Sequence, residues 1–309
     1  MKIFYDFEKI SDNFKNILVT IGNFDGIHLG HQKIFKELQN DTALLNGTAL
    51  VINFVPHPRS VIDPLRTPPL LTTLKSRLKL MQEMGIEAVL LAHFDRNFAE
   101  ISPEKFIKEY LVDKLKIKEI VIGENYFFGK NKQGDIDFLK KNGKIYNFKV
   151  HSVPPFIIDE KIVSSSIIRD FIRAGDMLSA KKFLGREYSI CGKVVNGSKR
   201  GKKLGFPTAN LQAITELIPK KGVYYTKVQI SGREFAALTN IGFRPTFDEK
   251  NEIIETHILN FNESIYDKEI TILFIKKIRD EKKFNSESEL KAQIAKDIEQ
   301  AKREMVKSF

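Results

Sequence analysis

The sequence predicts two joined folds: a parallel α/β sheet, then an antiparallel β-domain, barrel or sandwich, closed by a helix. Three observations predict this. Up to Leu184, short β-branched runs alternate with stretches of helical apolar spacing, the pattern of a doubly wound parallel sheet. After Gly185-Arg186-Glu187 the alternation stops, and β-rich stretches follow one another with Gly, Asn, Asp and Pro between them. The final segment returns to helical spacing, with Ser286 and Glu289 as a capping box and Leu290, Ile294, Ile298, Ala301 and Met305 as an apolar stripe. A chain of 309 residues accommodates two domains with separate cores, and the predicted division is 1–184 and 185–309.

The first elements carry the densest signal. Asn16 to Ile21 reads as a strand, and Ile27 to Leu38 as a helix with apolar residues at Ile27, Leu29, Ile34, Phe35 and Leu38. Between them lies Gly22-Asn23-Phe24-Asp25-Gly26, whose glycines let backbone N–H groups approach an anion at the positive end of the helix. His28 and His31 are three apart, so both face whatever that loop holds. Two imidazoles facing a triphosphate donate hydrogen bonds to oxygens that gain charge as phosphorus is attacked. A chance His-x-Gly-His in a chain of this composition has odds of about one in a hundred.

Thr48 to Phe54 is a buried second strand, and Val55-Pro56-His57-Pro58 ends it in a rigid turn that presents His57 at the sheet's carboxyl edge. Leu71 to Met84 is helical, Ala88 to Ala92 a strand, and Ser102-Pro103 opens another helix with a cap and a proline at its first position. Ile117 to Ile122 is a strand. Its loop, Gly123 to Lys130, holds Asn125, Tyr126, Phe127 and Phe128 between glycines, where a planar ligand can stack or the rings can serve the core. Val163-Ser164-Ser165-Ser166 starts a further helix, with Arg169 one turn on as a bidentate clamp for phosphate oxygens. Ala174 to Leu184 closes the helical half.

In the second half the expected strands are Tyr188 to Val195, Gly222 to Ile230, Phe235 to Ile241, Ile253 to Leu259 and Glu269 to Ile278. Gly197 to Asn210 gathers glycines and cations: Gly197, Gly201 and Gly205 with Lys199, Arg200, Lys202 and Lys203. It lacks the Lys-Ser/Thr ending of a Walker loop, yet suits a flexible clamp over a polyphosphate. Thr208 and Asn210 add neutral oxygens of the kind Mg²⁺ accepts. A nucleic-acid patch competes equally at this loop. Glu255, on a β-rich run, is the acid available to orient or deprotonate an alcohol.

Composition narrows the classes. The net charge is +11, which raises nucleic acid as a partner. It is shared between the halves as +5 and +6, so neither forms a strongly basic tail. One cysteine, Cys191, excludes an internal disulfide and a Cys-rich zinc site, and predicts a reducing cytoplasm. No apolar run approaches the roughly 18 residues of a membrane span, and Met1 to Asp12 carries acids unlike a secretory signal.

On these residues the first half resembles the HxGH nucleotidyltransferase superfamily, and GNFDGIHLGH looks like its flavin-specific branch. The resemblance implies a Rossmann-like domain that transfers AMP from ATP without a covalent intermediate. His28 and His31 would stabilise the α- and β-phosphates, and Arg169 would assist. Gly22, Asn23, Phe24, Asp25, Gly26, His57, Ser164 and Ser165 would hold nucleotide, and Asn125 and Phe128 the flavin. The family's Ser-Ser-Thr-x-x-Arg has Ser166 in place of Thr here, which keeps the hydroxyl.

Pro207-Thr208-Ala209-Asn210 is similar to the riboflavin kinase signature, which tips the loop toward Mg-ATP and the β-domain toward a barrel. It implies nucleotide contacts at Gly197, Lys199, Gly201, Lys202, Gly205, Thr208 and Asn210, with Thr208 and Asn210 at the Mg²⁺. Glu255, in Glu-x-His after Asn240 to Phe247, would be the catalytic base. His257 is read as structural. Taken together, the chain resembles the bacterial bifunctional riboflavin kinases and FMN adenylyltransferases. The implied substrates are riboflavin, FMN and ATP, with no nucleic acid, no membrane and protein partners left open.

Overall fold

The computed structural model describes residues 1–197, 201, 204–243 and 252–307. The chain divides into two compact units, Met1–Pro69 with Leu74–Ser164, and Leu70–Thr73 with Ser165–Phe309.

The first unit is built on six parallel strands: β1 (Lys2–Phe4), β2 (Ile17–Ile21), β3 (Thr48–Val55), β4 (Ala88–His93), β5 (Glu119–Gly123) and β6 (Lys149–Val153), ordered β1-β4-β3-β2-β5-β6. Its helices are α1 (Leu29–Leu44), α2 (Pro58–Ile62), α3 (Leu74–Glu83), α4 (Arg96–Ala99), α5 (Pro103–Lys105, continuing as a π-helix through Lys114) and α6 (Ile136–Tyr146). Strand side chains alternate between two cores. Leu18, Val51, Val89 and Val121 meet Phe35 and Leu38 of α1 and Met81 of α3. Val19, Ile52, Leu90 and Ile120 meet Phe106, Ile107, Leu111 and Leu139 on the other face. The chain leaves β2 toward β3 and later returns to β5 on β2's opposite side, so the order reverses at β2. In open parallel sheets that is where ligands bind, beyond the carboxyl ends of the strands.

Three local readings are corrected. Helix α1 begins at Leu29 because Ile27 has φ +38° and His28 is extended, so His28 caps the helix rather than lying within it. The run Ala174 to Leu184 is broken at Gly175, φ +81°, after which Asp176 caps the next helix through the Ser179 N–H at 3.0 Å. Strands β1 and β6 and helix α6 were not expected; the hydrophobic strand-like run Phe156 to Ile158 forms β7 (Ile157–Ile158), and its partner in a small hairpin, β8 (Lys161–Ile162), was not foreseen.

The second unit contains α7 (Ser165–Ala174), α8 (Met177–Leu184) and a closed antiparallel barrel. Its strands are β9 (Tyr188–Val195), β10 (Ala209–Ala213), β11 (Gly222–Ile230), β12 (Arg233–Phe243), β13 (Glu252–Ile258) and β14 (Glu269–Arg279), closing as β10-β13-β12-β11-β14-β9. Helices α7 and α8 group with the barrel in this unit, while the alternation of strands and helices ends after them, at Gly185-Arg186-Glu187. Inward residues alternate with outward ones. Inside, the hydroxyls of Thr226, Thr239 and Thr256 form a fully buried ladder at 2.8 and 2.9 Å. Outside, Val223, Tyr225 and Leu238 pack on Ala301 and Ile298 of the last helix, α9 (Glu287–Lys307). Ser286 Oγ accepts the Glu289 N–H, and Glu289 reaches back to the Asn285 N–H, so the expected capping device is present. No helix among the described residues is long and apolar enough to cross a membrane.

Candidate active sites

The loop between β2 and α1 packs through its aromatic residue. Phe24, φ +45° and buried, meets His31 edge-on at 5.2 Å and Phe35 at 4.8 Å. Gly22 lies under that ring: a Cβ there would come within 2.9 Å of Phe24 Cζ. Gly26 takes φ +84°, a conformation other residues resist. His28 then caps α1, its Nδ1 accepting the His31 N–H at 3.3 Å. That bond leaves Nε2 of His28 as the ring's donor. The two rings stack, 3.6 Å between centroids and 20° between planes. A Cβ on Gly30 would approach the His28 ring at 3.2 Å, so the residue between the histidines is small because the ring fills its space.

His57 caps α2 in the same way, with Nδ1 accepting the Arg59 N–H at 3.1 Å. Its Nε2 lies 3.2 Å from the Asn23 carboxamide, tying the loops after β2 and β3 together. Two residues missed in the sequence organise this region. Arg77 of α3 is 5% exposed and donates to Asn23 O at 2.9 Å and to Asn53 Oδ1 at 3.2 Å, with Asp25 at 3.6 Å. Asn53 is fully buried in β3. A charged residue on the apolar face of Leu74, Leu78 and Met81, and an amide inside TALVINF, were the available signals.

The remaining first-half residues separate. Asn125 is exposed in the loop after β5, beyond the same carboxyl edge. Phe128 is 8% exposed and packs against Phe106, Tyr126 and Phe138, so it belongs to the core; the ring open to a ligand here is Phe127, 56% exposed. Ser164 closes the first unit, whereas Ser165 and the buried Arg169 belong to α7 of the second.

In the barrel, Asn210 of β10 pairs in register with Glu255 of β13, which pairs on its other side with Asn240 of β12. Leu211, Ile254 and Thr256 are buried inside, so alternation turns Asn210, Glu255 and Asn240 to the outer face. A Cβ on Gly197 would fall inside the van der Waals envelope of the Asn210 carboxamide, so any larger residue there has to displace that side chain. Gly201 accepts N–H bonds from Leu204 and Phe206 at 3.1 and 2.9 Å, and its α-carbon faces Thr208 Oγ1. Gly205 adopts φ +89°. His257 donates from Nδ1 to Pro207 O at 2.8 Å and meets Phe206 edge-on, fixing the turn that ends at Thr208. Glu281 brings a second carboxylate against Gly242, beside which the Asn240 carboxamide also lies, a neighbour the sequence did not suggest. Lys199 and Lys202, with Arg200, Lys203 and 244–247, lie outside the described residues. A cleft of about 120 Å³ beside Thr208 is smaller than clefts that enclose cofactor-sized ligands.

The donor set of Thr208, Asn210 and Glu255 is all oxygen, which fits Mg²⁺ and not a softer metal. The histidine site offers nitrogen donors to anionic oxygens and a helix N-terminus behind them.

Two family models match the chain, one after the other. The FAD synthetase family model matches residues 10–167 and the riboflavin kinase family model residues 184–305. A protein of Buchnera aphidicola subsp. Schizaphis graminum, named bifunctional riboflavin kinase/FMN adenylyltransferase, is 38% identical over 307 residues, 98% of each chain. Proteins of that name from Haemophilus influenzae and Escherichia coli are 37% and 36% identical, over 92% and 91% of this chain. Among solved structures, one described as a macrolide-efflux protein from Streptococcus pneumoniae superposes with a TM-score of 0.87 at 29% identity, covering 95% of this chain and 97% of that one.

Proposed function

The chain belongs to the bifunctional riboflavin kinase/FMN adenylyltransferase family, and on that premise we propose which of its residues carry each reaction. It is a transferase with two activities in chain order: the N-terminal region makes FAD from FMN and ATP, and the C-terminal barrel makes FMN from riboflavin and ATP. The observation that carries the residue assignment is that each unit builds its own polar site, the stacked His28–His31 pair in one and the Asn210–Glu255–Asn240 row in the other.

In adenylyl transfer, a phosphate oxygen of FMN attacks the α-phosphorus of ATP, the bond to the bridging oxygen breaks, and pyrophosphate leaves. His28, whose Nε2 is the ring's donor, and His31 stabilise the oxygens that gain charge. Gly22 to Gly26 shape the phosphate loop, His57 and Asn23 hold its edge, the Ser164 hydroxyl meets phosphate, and Asn125 meets the flavin. Nothing in this step needs a covalent enzyme intermediate, so its chemistry is positioning and charge stabilisation.

In the kinase step, the terminal hydroxyl of riboflavin's ribityl chain attacks the γ-phosphorus, ADP leaves, and the proton passes to the Glu255 carboxylate. Thr208 and Asn210 would hold Mg²⁺, which neutralises phosphate charge when bound. Gly197, Gly201 and Gly205 shape the loop above them, with Lys199 and Lys202 its cations. The lone Cys191 suits a reducing cytoplasm.

The test is direct. Purified protein with riboflavin, ATP and Mg²⁺ yields FMN and then FAD by chromatography. His28→Ala/His31→Ala stops at FMN, and Glu255→Gln makes no FMN yet still converts supplied FMN to FAD. Equal loss of both activities in either variant refutes the assignment.

A further inference from the structure

At the amino end of the parallel sheet, opposite the loops described above, three ligating side chains converge from three elements. Asp41 comes from the last turns of α1, Glu119 opens β5, and His151 lies in β6. One ligand atom from each lies within 4.8 Å of the others, and His151 Nδ1 is 2.5 Å from Asp41 Oδ2. Glu119 is 6% exposed, while the Asp41 and His151 side chains are 19% and 34% exposed. The first unit is thus given a buried carboxylate at the bottom of a small polar well, with a second carboxylate and an imidazole on its rim.

We propose that Asp41, Glu119 and His151 form a binding site for one divalent transition-metal ion of the Zn²⁺ class, separate from both phosphoryl-transfer sites.

Two carboxylates side by side in a water-poor place are costly unless a cation or a shared proton lies between them. The imidazole decides the class of cation. One nitrogen with two carboxylate oxygens suits Zn²⁺ and its neighbours, whereas Mg²⁺ prefers oxygens alone. Ligand bonds of about 2.0–2.2 Å place ligand atoms about 3.0–3.5 Å apart, so the His151–Asp41 pair opens by about 1 Å to admit the ion. Strands β5 and β6 are paired in register from Glu119 opposite Lys149 to Gly123 opposite Val153, and α1 packs on them through Phe35 and Leu38. The three ligands therefore sit on a fixed frame. The end of α1 adds the negative pole of its dipole, which favours a cation. The partial exposure of Asp41 and His151 gives the ion a way in and leaves room for water as a fourth ligand. When Nδ1 of His151 turns its lone pair to the metal, the ring proton is carried on Nε2 and the Asp41 carboxylate is freed to ligate.

The experiment uses the full chain, stripped with chelator and then freed of it, titrated with Zn²⁺ against a chromophoric competitor and with Co²⁺ by visible absorption. The expected result is one equivalent bound with Kd at or below about 1 µM, weakened at least about tenfold in His151→Ala and in Asp41→Asn. That equivalent persists in His28→Ala/His31→Ala, which removes the competing imidazole pair. Unchanged FMN and FAD formation by His151→Ala, assayed with Mg²⁺, establishes that the variant is folded. Zn²⁺ bound equally by wild type and His151→Ala, or an equivalent that disappears with His28 and His31 instead, overturns the proposal.

Discussion

His28 accepts the backbone N–H of His31 through Nδ1 while the two rings stack at 3.6 Å, so one side chain both starts helix α1 and carries half of the imidazole pair. The two roles are separable because Asn is also a good cap but carries no imidazole. His28→Ala is expected to lose about 1 kcal/mol of stability with the cap, and FAD formation about 100-fold or more with the donor. His28→Asn recovers the stability and leaves FAD formation at the Ala level. Urea midpoints and FAD assays on both variants decide it, with FMN formation constant throughout.

Gly197 and Asn210 are in contact with no room for a Cβ between them. Gly197→Ala must therefore push the Asn210 amide away from the row it shares with Glu255. FMN formation is expected to fall at least about tenfold, because a misplacement of about 1 Å at a phosphoryl-transfer site carries such a penalty. FAD formation from supplied FMN stays at the wild-type rate. Equal kinase activity in wild type and Gly197→Ala counts against Asn210 as a ligand-positioning residue.

What was legible in the sequence follows from how local each signal is. The histidine pair and the Pro-Thr-Ala-Asn run are short, and their spacing alone carries chemistry. Strands β3 and β11 announce themselves as continuous apolar runs because they are buried along most of their length. Strand β6 is half open at the sheet's edge and mixes Lys149, His151 and Ser152 with valines, so it has no run to read. Tyr126, Phe127 and Phe128 reveal an aromatic loop, but only packing against Phe106 and Phe138 puts Phe128 in the core. Arg77, and the triad in which His151 lies 110 residues from Asp41, depend on elements brought together by the sheet. No window of sequence contains them.

Arg77 ties the loop after β2 to strand β3 through Asn23 and Asp25 on one side and Asn53 on the other. Its geometry uses a planar fork, which Lys does not supply. Arg77→Lys and Arg77→Met are both expected to reduce FAD formation and spare FMN formation. Arg77→Met additionally takes from the buried Asp25 its cationic neighbour, at about 3 kcal/mol. Adding Asp25→Asn to Arg77→Met should restore part of that stability, measured by urea unfolding, without restoring FAD formation.

Glu187 links the end of α8 to the barrel's first strand through Lys181, 2.8 Å away. Burial alone pushes the Glu187 carboxyl up, but its hydrogen bond to Lys181 and the charges of Lys181 and Lys227 outweigh that and hold it below the ordinary glutamate value. A carboxyl more acidic when folded than when unfolded stabilises the fold above its unfolded pKa of about 4.3, and the benefit fades as pH falls through the lower folded value. Glu187→Gln is therefore expected to cost under about 1 kcal/mol at pH near 7, the range for a largely solvent-screened pair. The difference between variant and wild type should shrink toward zero as the carboxyl is protonated in the acid range, and circular-dichroism urea midpoints across that range measure it. A gap of constant size at every pH would assign the loss to altered packing and remove the ion pair from the account of how α8 is held to β9.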